Sequence, residues 1–83
     1  TKALAKEFGP KGITTNAISP GPIAADLEDD DASMHHRRET MAKVPLGRMG
    51  TPAEVAAVLR LLVSDGGAYV NGQMIQVNGG GQT

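Results

Sequence analysis

The stretch Asn16-Ala17-Ile18-Ser19-Pro20-Gly21-Pro22-Ile23 constrains this chain most. A run containing several β-branched residues extends from Ile13 to Ser19 and stops at a Pro-Gly pair. Such a run reads as a strand over 13–19, and its bulky apolar residues near both ends point to burial on at least one face. In open α/β folds, ligands bind just outside the carboxyl ends of strands. Glycine at that place lets the main chain come close to a flat polar ligand, because it carries no Cβ. The Pro20-Gly21 turn is therefore a candidate ligand-facing end of a sheet.

The strongest helix signal lies downstream. In Thr51-Pro52-Ala53-Glu54, threonine is the expected N-cap, proline takes the first helical position and glutamate stands three residues after the cap. Val55, Val58, Leu59, Leu62 and Val63 then form one apolar stripe at helical spacing, which suits packing against a sheet or a partner. Ser64-Asp65-Gly66-Gly67 ends that helix. Gln73 to Val77 reads as a second strand, entered through Asn71-Gly72 and left through Asn78-Gly79-Gly80-Gly81.

The remaining segments are shorter. Leu4 and Phe8 share a helix face, and Gly9-Pro10 is expected to stop that helix with Gly9 left-handed. Lys11-Gly12 is then a turn. Residues 20–33 read as irregular and carry Asp26, Glu28, Asp29, Asp30 and Asp31. A short helix is expected over Met34 to Lys43, followed by an irregular stretch over 44–50. Two strands and two main helices make an α/β sheet that is incomplete on its own. No internal repeat is present.

Composition agrees with that incompleteness. The chain has 83 residues, of which 40% are hydrophobic, yet Phe8 and Tyr69 are its only aromatics. Near this length a lone core seldom supplies more than about 3–5 kcal/mol. There is no cysteine, so neither disulfides nor a thiolate metal site can add to that. Thr1-Lys2-Ala3-Leu4 already follows a helical pattern, without an initiator Met or a cap. The expectation is the tail of a longer helix.

Net charge is −1, with scattered bases, which is no nucleic-acid footprint. No apolar run reaches membrane-spanning length and no signal peptide is visible, so a cytoplasmic location is expected. His35-His36 beside the acidic run invites a metal-site reading. Adjacent helical histidines point about 100° apart, however, and seldom share one ion. Solvated side chains are the expectation there. Asn16 is expected to bond nearby backbone.

Four motifs in order carry a family resemblance: Leu4-Ala5-Lys6-Glu7-Phe8-Gly9-Pro10-Lys11-Gly12-Ile13, Asn16-Ala17-Ile18-Ser19-Pro20-Gly21, Pro45-Leu46-Gly47-Arg48-Met49-Gly50-Thr51-Pro52-Ala53-Glu54-Val55-Ala56, and Tyr69-Val70-Asn71-Gly72-Gln73 followed by Val77-Asn78-Gly79-Gly80. Over essentially its whole length the chain resembles the C-terminal third of a classical short-chain dehydrogenase/reductase. The resemblance implies part of a Rossmann-type doubly wound parallel sheet. It also implies NAD or NADP as cofactor, with hydride transfer between that cofactor and an alcohol or carbonyl substrate.

By the same resemblance, Pro20, Gly21, Pro22, Ile23 and Ala25 are the cofactor-binding residues, and the Ile23 backbone bonds the nicotinamide carboxamide. Where Ala25 stands, the family usually has a Thr whose hydroxyl helps to hold the cofactor. Ala25 cannot donate that bond, and Ala24 is no better. One such loss is worth roughly 0.5–1.5 kcal/mol. Residues 20–50 would comprise the nicotinamide-side turn and substrate lid. Residues 51–83 would comprise the capped helix, last strand and tail, and the last strand and the 52–64 helix would form an interface between copies.

The resemblance also shows what is missing. No G-x-x-x-G-x-G phosphate-binding pattern occurs, and Tyr69 has Gln73 four residues on, so the family's Tyr-x-x-x-Lys pair is absent. The family's catalytic Ser, Tyr and Lys precede the point where this chain begins. The 83 residues alone are expected to be inactive and to bind NAD(P) weakly or not at all. A self-associating domain without catalysis, or a truncation product, are the alternatives.

Overall fold

The computed structural model describes residues 1–24 and 31–81, with the backbone alone for 31–34. Helix α1 (Lys2–Phe8) runs straight into a 3-10 turn at Gly9–Lys11. Gly9 is not left-handed as expected; it keeps helical φ −52° and ψ −45°. The left-handed residue is Gly12, at φ 77°. Pro10 accounts for the difference, since its fixed φ suits a first helical turn where no N–H is required. The chain therefore tightens before it turns, and the Gly12 N–H closes on the Gly9 carbonyl at 2.9 Å.

Strand β1 is Ala17–Pro20, and strand β2 is Met74–Val77. They pair in parallel, with Ala17 opposite Met74 and Pro20 opposite Val77. The expected strand over 13–19 is thus shorter at its start and one residue longer at its end. Thr15 and Asn16 lie beside the irregular segment 70–73, which offers side-chain amides as well as backbone groups. The end is tolerated because Ala17 and Gly21 donate toward β2, to Gln73 O and Val77 O at 2.9 Å each. Pro20 falls at the intervening parity, where a backbone N–H would point away from β2.

Helix α2 (Asp31–Ala42) has 12 residues and begins three residues before the expected Met34. Asp31 and Ser33 are residue types that suit a first helical turn, where free N–H groups favour acidic or hydroxyl side chains. Helix α3 (Pro52–Val63) starts at the predicted cap. Both capping-box bonds form: Glu54 N–H donates to Thr51 Oγ1 at 3.2 Å, and Thr51 N–H donates to Glu54 Oε1 at 3.1 Å. A 3-10 turn at Asp65–Gly67 follows. A Cβ on Gly67 would sit 2.3 Å from the Leu61 carbonyl oxygen, so only glycine lets the chain fold back under the end of α3.

Burial is sparse among the described residues. Only Ala5, Val44 and Leu62 are buried apolar residues. The expected burial of the first strand is partial: Ala17, Ile18 and Ser19 are half-buried and Pro20 is exposed. The α3 stripe is only partly covered, with Leu62 buried but Leu59 52% and Val63 77% exposed. Together with Thr14, Asn16 and Ile18, these three leucine and valine side chains line an open groove of about 320 Å³.

The accessible surface is 6179 Å², against roughly 4,700 Å² for a compact chain of this mass. The radius of gyration is 15.9 Å, where about 12 Å is usual. Both values exceed those of a compact chain of this length. Among the described residues no helix is long and apolar enough to cross a membrane.

Candidate functional site

The carboxyl end of β1 leads through Gly21 into a second, isolated parallel bridge between Ile23 and Gly50. Two hydrogen bonds make it: Gly50 N–H to Pro22 O at 3.0 Å, and Ala24 N–H to Gly50 O at 2.8 Å. In a parallel bridge of this kind the central residue's own N–H and C=O point to the opposite side. Ile23 therefore presents one donor and one acceptor, side by side and unengaged among the described residues, beyond the end of the sheet.

Gly21 sets how tightly this end is closed. A Cβ built there would lie 2.6 Å from Asn78 Cβ and 2.8 Å from Asn78 Cα. Those distances lie inside any van der Waals contact, so the approach of the two strand ends depends on glycine. Pro22 and Asn78 form the divide between two clefts. One, of about 340 Å³, extends past Arg48 toward α3 and β2. The other, of about 270 Å³, reaches Thr40, Lys43 and Val44 at the end of α2.

The structure thus brings together Pro20, Gly21, Pro22 and Ile23. Ala25 lies outside the described residues, as does the acidic run from Asp26 to Asp30. His35 Nε2 lies 3.0 Å from Glu39 Oε1 on the exposed surface of α2. Among the described residues, no group of three or more His, Cys, Asp or Glu side chains could hold a metal ion.

Arg48 stands over the start of α3 and grips Glu54 with both guanidinium nitrogens, Nη1–Oε1 at 2.7 Å and Nη2–Oε2 at 2.8 Å. It also donates to Met49 O at 3.1 Å. Planar bidentate pairing is among the stronger charge-assisted contacts. The Arg48 hydrogen bond, joined by the Thr51 backbone N–H, lowers the Glu54 pKa from 4.5 to about 2. The same pairing raises Arg48 above its ordinary value.

A depressed carboxylate pKa stabilises the fold above the unfolded value and loses that contribution as pH falls through the folded one. The cap at Thr51 should therefore hold down to about pH 4.5 and weaken progressively toward about pH 2. Amide exchange at the first turn of α3, followed across that range, should show this loss. Glu54→Gln should remove the pH dependence, and an unchanged profile in that variant would contradict the assignment.

Two asparagines tie the entry of β1 to the entry of β2. Asn71 Oδ1 accepts from Thr15 N–H at 2.8 Å, and its Nδ2 donates to Ala5 O at 3.3 Å. Asn16 Nδ2 donates to Val70 O at 2.9 Å, while its Oδ1 accepts from Gln73 N–H at 3.0 Å. Asn16 thus bonds backbone as expected, but backbone 54 and 57 residues away rather than nearby. A single sequence could not show that, because the long-range partner is chosen by the fold.

A family model described as enoyl-(acyl carrier protein) reductase matches residues 1–82. The chain belongs to the short-chain dehydrogenase/reductase family. A probable 2,4-dienoyl-CoA reductase of Bacillus subtilis is 48% identical over 96% of this chain and 33% of its own length. A 3-oxoacyl-(acyl-carrier-protein) reductase of Pseudomonas aeruginosa is 44% identical over 96% of this chain and 32% of its own.

Among solved structures, a short-chain dehydrogenase from Bacillus anthracis superposes over 100% of this chain and 32% of its own, with TM-score 0.83 and 44% identity. A 3-oxoacyl-(acyl-carrier protein) reductase from Brucella melitensis gives TM-score 0.88 at 41% identity, over 96% of this chain and 30% of its own. The chain therefore spans about a third of the length of these short-chain dehydrogenase/reductase relatives. Its two-stranded parallel sheet with helices is part of a Rossmann-type α/β fold. The Arg48–Glu54 pair was not anticipated from this sequence. The available signal was an arginine three residues before a cap whose glutamate was already assigned.

Proposed function

We propose that these residues are the C-terminal third of an NAD(P)-dependent oxidoreductase that interconverts an alcohol and a carbonyl, and that the Pro20–Ile23 turn holds the nicotinamide end of the cofactor. The observation that carries this reading is the paired, unengaged N–H and C=O of Ile23, held beyond the strand end by the Gly50 bridge. A nicotinamide carboxamide offers a carbonyl acceptor and an amide donor on one flat group, which complements that pair. When bound, the cofactor supplies the hydride acceptor or donor. The residues of this chain orient it, and Gly21 allows the close approach.

Support for the chemical class comes from the relatives, whose names include reductases of acyl chains carried on coenzyme A or an acyl carrier protein. Acyl thioesters bearing a carbonyl are the substrates to assay first. The phosphate-cradling turn and the Ser, Tyr and Lys expected of the family lie outside this sequence, so the 83 residues alone carry no proton donor of the required kind.

The test is a calorimetric titration of NAD+ and NADP+ into the full-length protein and into the isolated chain. Binding by the full-length protein, with none detected for the isolated chain, is expected. Micromolar affinity in the isolated chain would refute the division of the site. Light scattering on the same samples bears on the faces of α3 and β2 exposed here, which the proposal assigns to other segments and to a second copy. A monomeric full-length protein would remove the second copy from it.

A further inference from the structure

The chain carries two Asn-Gly pairs, Asn71-Gly72 and Asn78-Gly79. In both, the residue after asparagine has no side chain, so nothing local hinders attack of its backbone nitrogen on the asparagine amide. We propose that the fold leaves Asn78-Gly79 open to spontaneous deamidation and holds Asn71-Gly72 closed against it.

The step balances without any other reagent than water. The Gly79 amide nitrogen gives its proton to a solvent base and bonds to Asn78 Cγ. The Cγ–Nδ2 bond breaks, and ammonia leaves after taking up a proton. One water then opens the resulting succinimide. Opening at Cγ gives an aspartyl residue, and opening at the backbone carbonyl gives an isoaspartyl residue. The net change is one amide and one water converted into one carboxylic acid and one ammonia.

Two differences separate the two pairs. The Gly79 N–H has no acceptor among the described residues and Gly79 is half-buried, whereas the Gly72 N–H is bonded to Thr15 O at 2.8 Å and Gly72 is buried. Removing a proton already held by a carbonyl, out of reach of solvent, is the harder event. A backbone N–H donates to the side-chain oxygen in both pairs, from Gly80 to Asn78 Oδ1 at 2.9 Å and from Thr15 to Asn71 Oδ1 at 2.8 Å, so activation of the carbonyl does not separate them.

The second difference is the hold on each side chain. Among the described residues the Asn78 side chain is bonded within its own segment, at Gly80 and, through Nδ2, at Gln76 Oε1, 3.1 Å away. Asn71 is bonded to Thr15 and Ala5, 56 and 66 residues distant. To turn toward its own glycine, Asn71 must break contacts that join α1 and β1 to the entry of β2. Asn78 needs only a local adjustment.

Conversion at position 78 has a consequence for the turn, which rests on the nicotinamide reading above although the chemistry does not. Asn78 lies against Gly21 with no room for a single added carbon. An isoaspartyl residue lengthens the backbone by one methylene there and adds a negative charge between the two clefts.

The experiment is peptide mapping of the full-length protein after warm incubation at mildly alkaline pH, folded and in urea, with isoaspartate read at both positions. In the folded protein, position 78 should convert at least about tenfold faster than position 71, the scale of a hydrogen bond or more. In urea the two should convert at similar rates. Equal rates in the folded protein, no conversion at 78, or the same gap in urea would each overturn the proposal. Loss of cofactor affinity in step with conversion at 78 tests the consequence separately.

Discussion

Replacing Gly21 with alanine should weaken NAD(P) binding by the full-length protein by about tenfold or more, with a loss of about 1–3 kcal/mol in stability. The added Cβ would meet Asn78 Cβ and Cα at 2.6 and 2.8 Å. One of those atoms is backbone, so no rotamer change relieves the overlap. The ends of β1 and β2 must part, which stretches the Gly21 N–H to Val77 O bond at 2.9 Å. Because Ile23 is positioned only two residues on, its N–H and C=O shift with the strand end.

Gly50→Ala provides the contrast. A Cβ there meets Ile23 Cδ1 at 2.9 Å, the end of a flexible side chain that can rotate away. Its effect should be clearly smaller. Thermal unfolding and cofactor titration of both variants decide the matter. A Gly21→Ala protein with unaltered stability and affinity would show that the close approach has no role.

The second large effect is expected at Asn71. Asn71→Ala removes the acceptor for Thr15 N–H and the donor to Ala5 O, both partly buried. Leaving such groups without partners costs about 1–3 kcal/mol. Asn16→Ala removes the neighbouring pair of bonds, to Val70 O and Gln73 N–H. Because both asparagines hold the same two segments together, the double variant should lose less than the sum of the single losses. Urea unfolding of the full-length protein measures all three. Strict additivity would mean that the two amides act independently.

Local chemistry was legible in the sequence wherever the partner lay close by. Thr51-Pro52-Ala53-Glu54 specified its helix start because cap, proline and glutamate act on one another within a single turn. The two strands were visible as β-branched runs. Their limits were not, since β1 begins where β2 can pair with it and not where β-branched residues begin. Gly9 misled for a related reason: a following proline can prolong a helix as a 3-10 turn as well as end it.

The apolar stripe on α3 reads in the sequence as a packing face, yet in the structure Leu62 is buried while Leu59 and Val63 lie exposed. Its periodicity suits a helix that packs on a sheet, and the described residues cover only part of that face. In the sequence the Pro-Gly turn marks the candidate site. The pair of Ile23 backbone groups without a partner among the described residues could not be foreseen, because it follows from the Gly50 bridge across 27 residues of chain.

On the proposed reading, the Ile23 backbone receives the cofactor's carboxamide. Amide hydrogen exchange at Ile23 in the full-length protein, with and without saturating NAD(P), tests it most directly. The Ile23 N–H, unengaged among the described residues, should become markedly protected when cofactor binds, while the Gly50 N–H, already bonded to Pro22, should change little. Unchanged exchange at Ile23 in a protein shown to be saturated with cofactor would contradict that placement of the carboxamide.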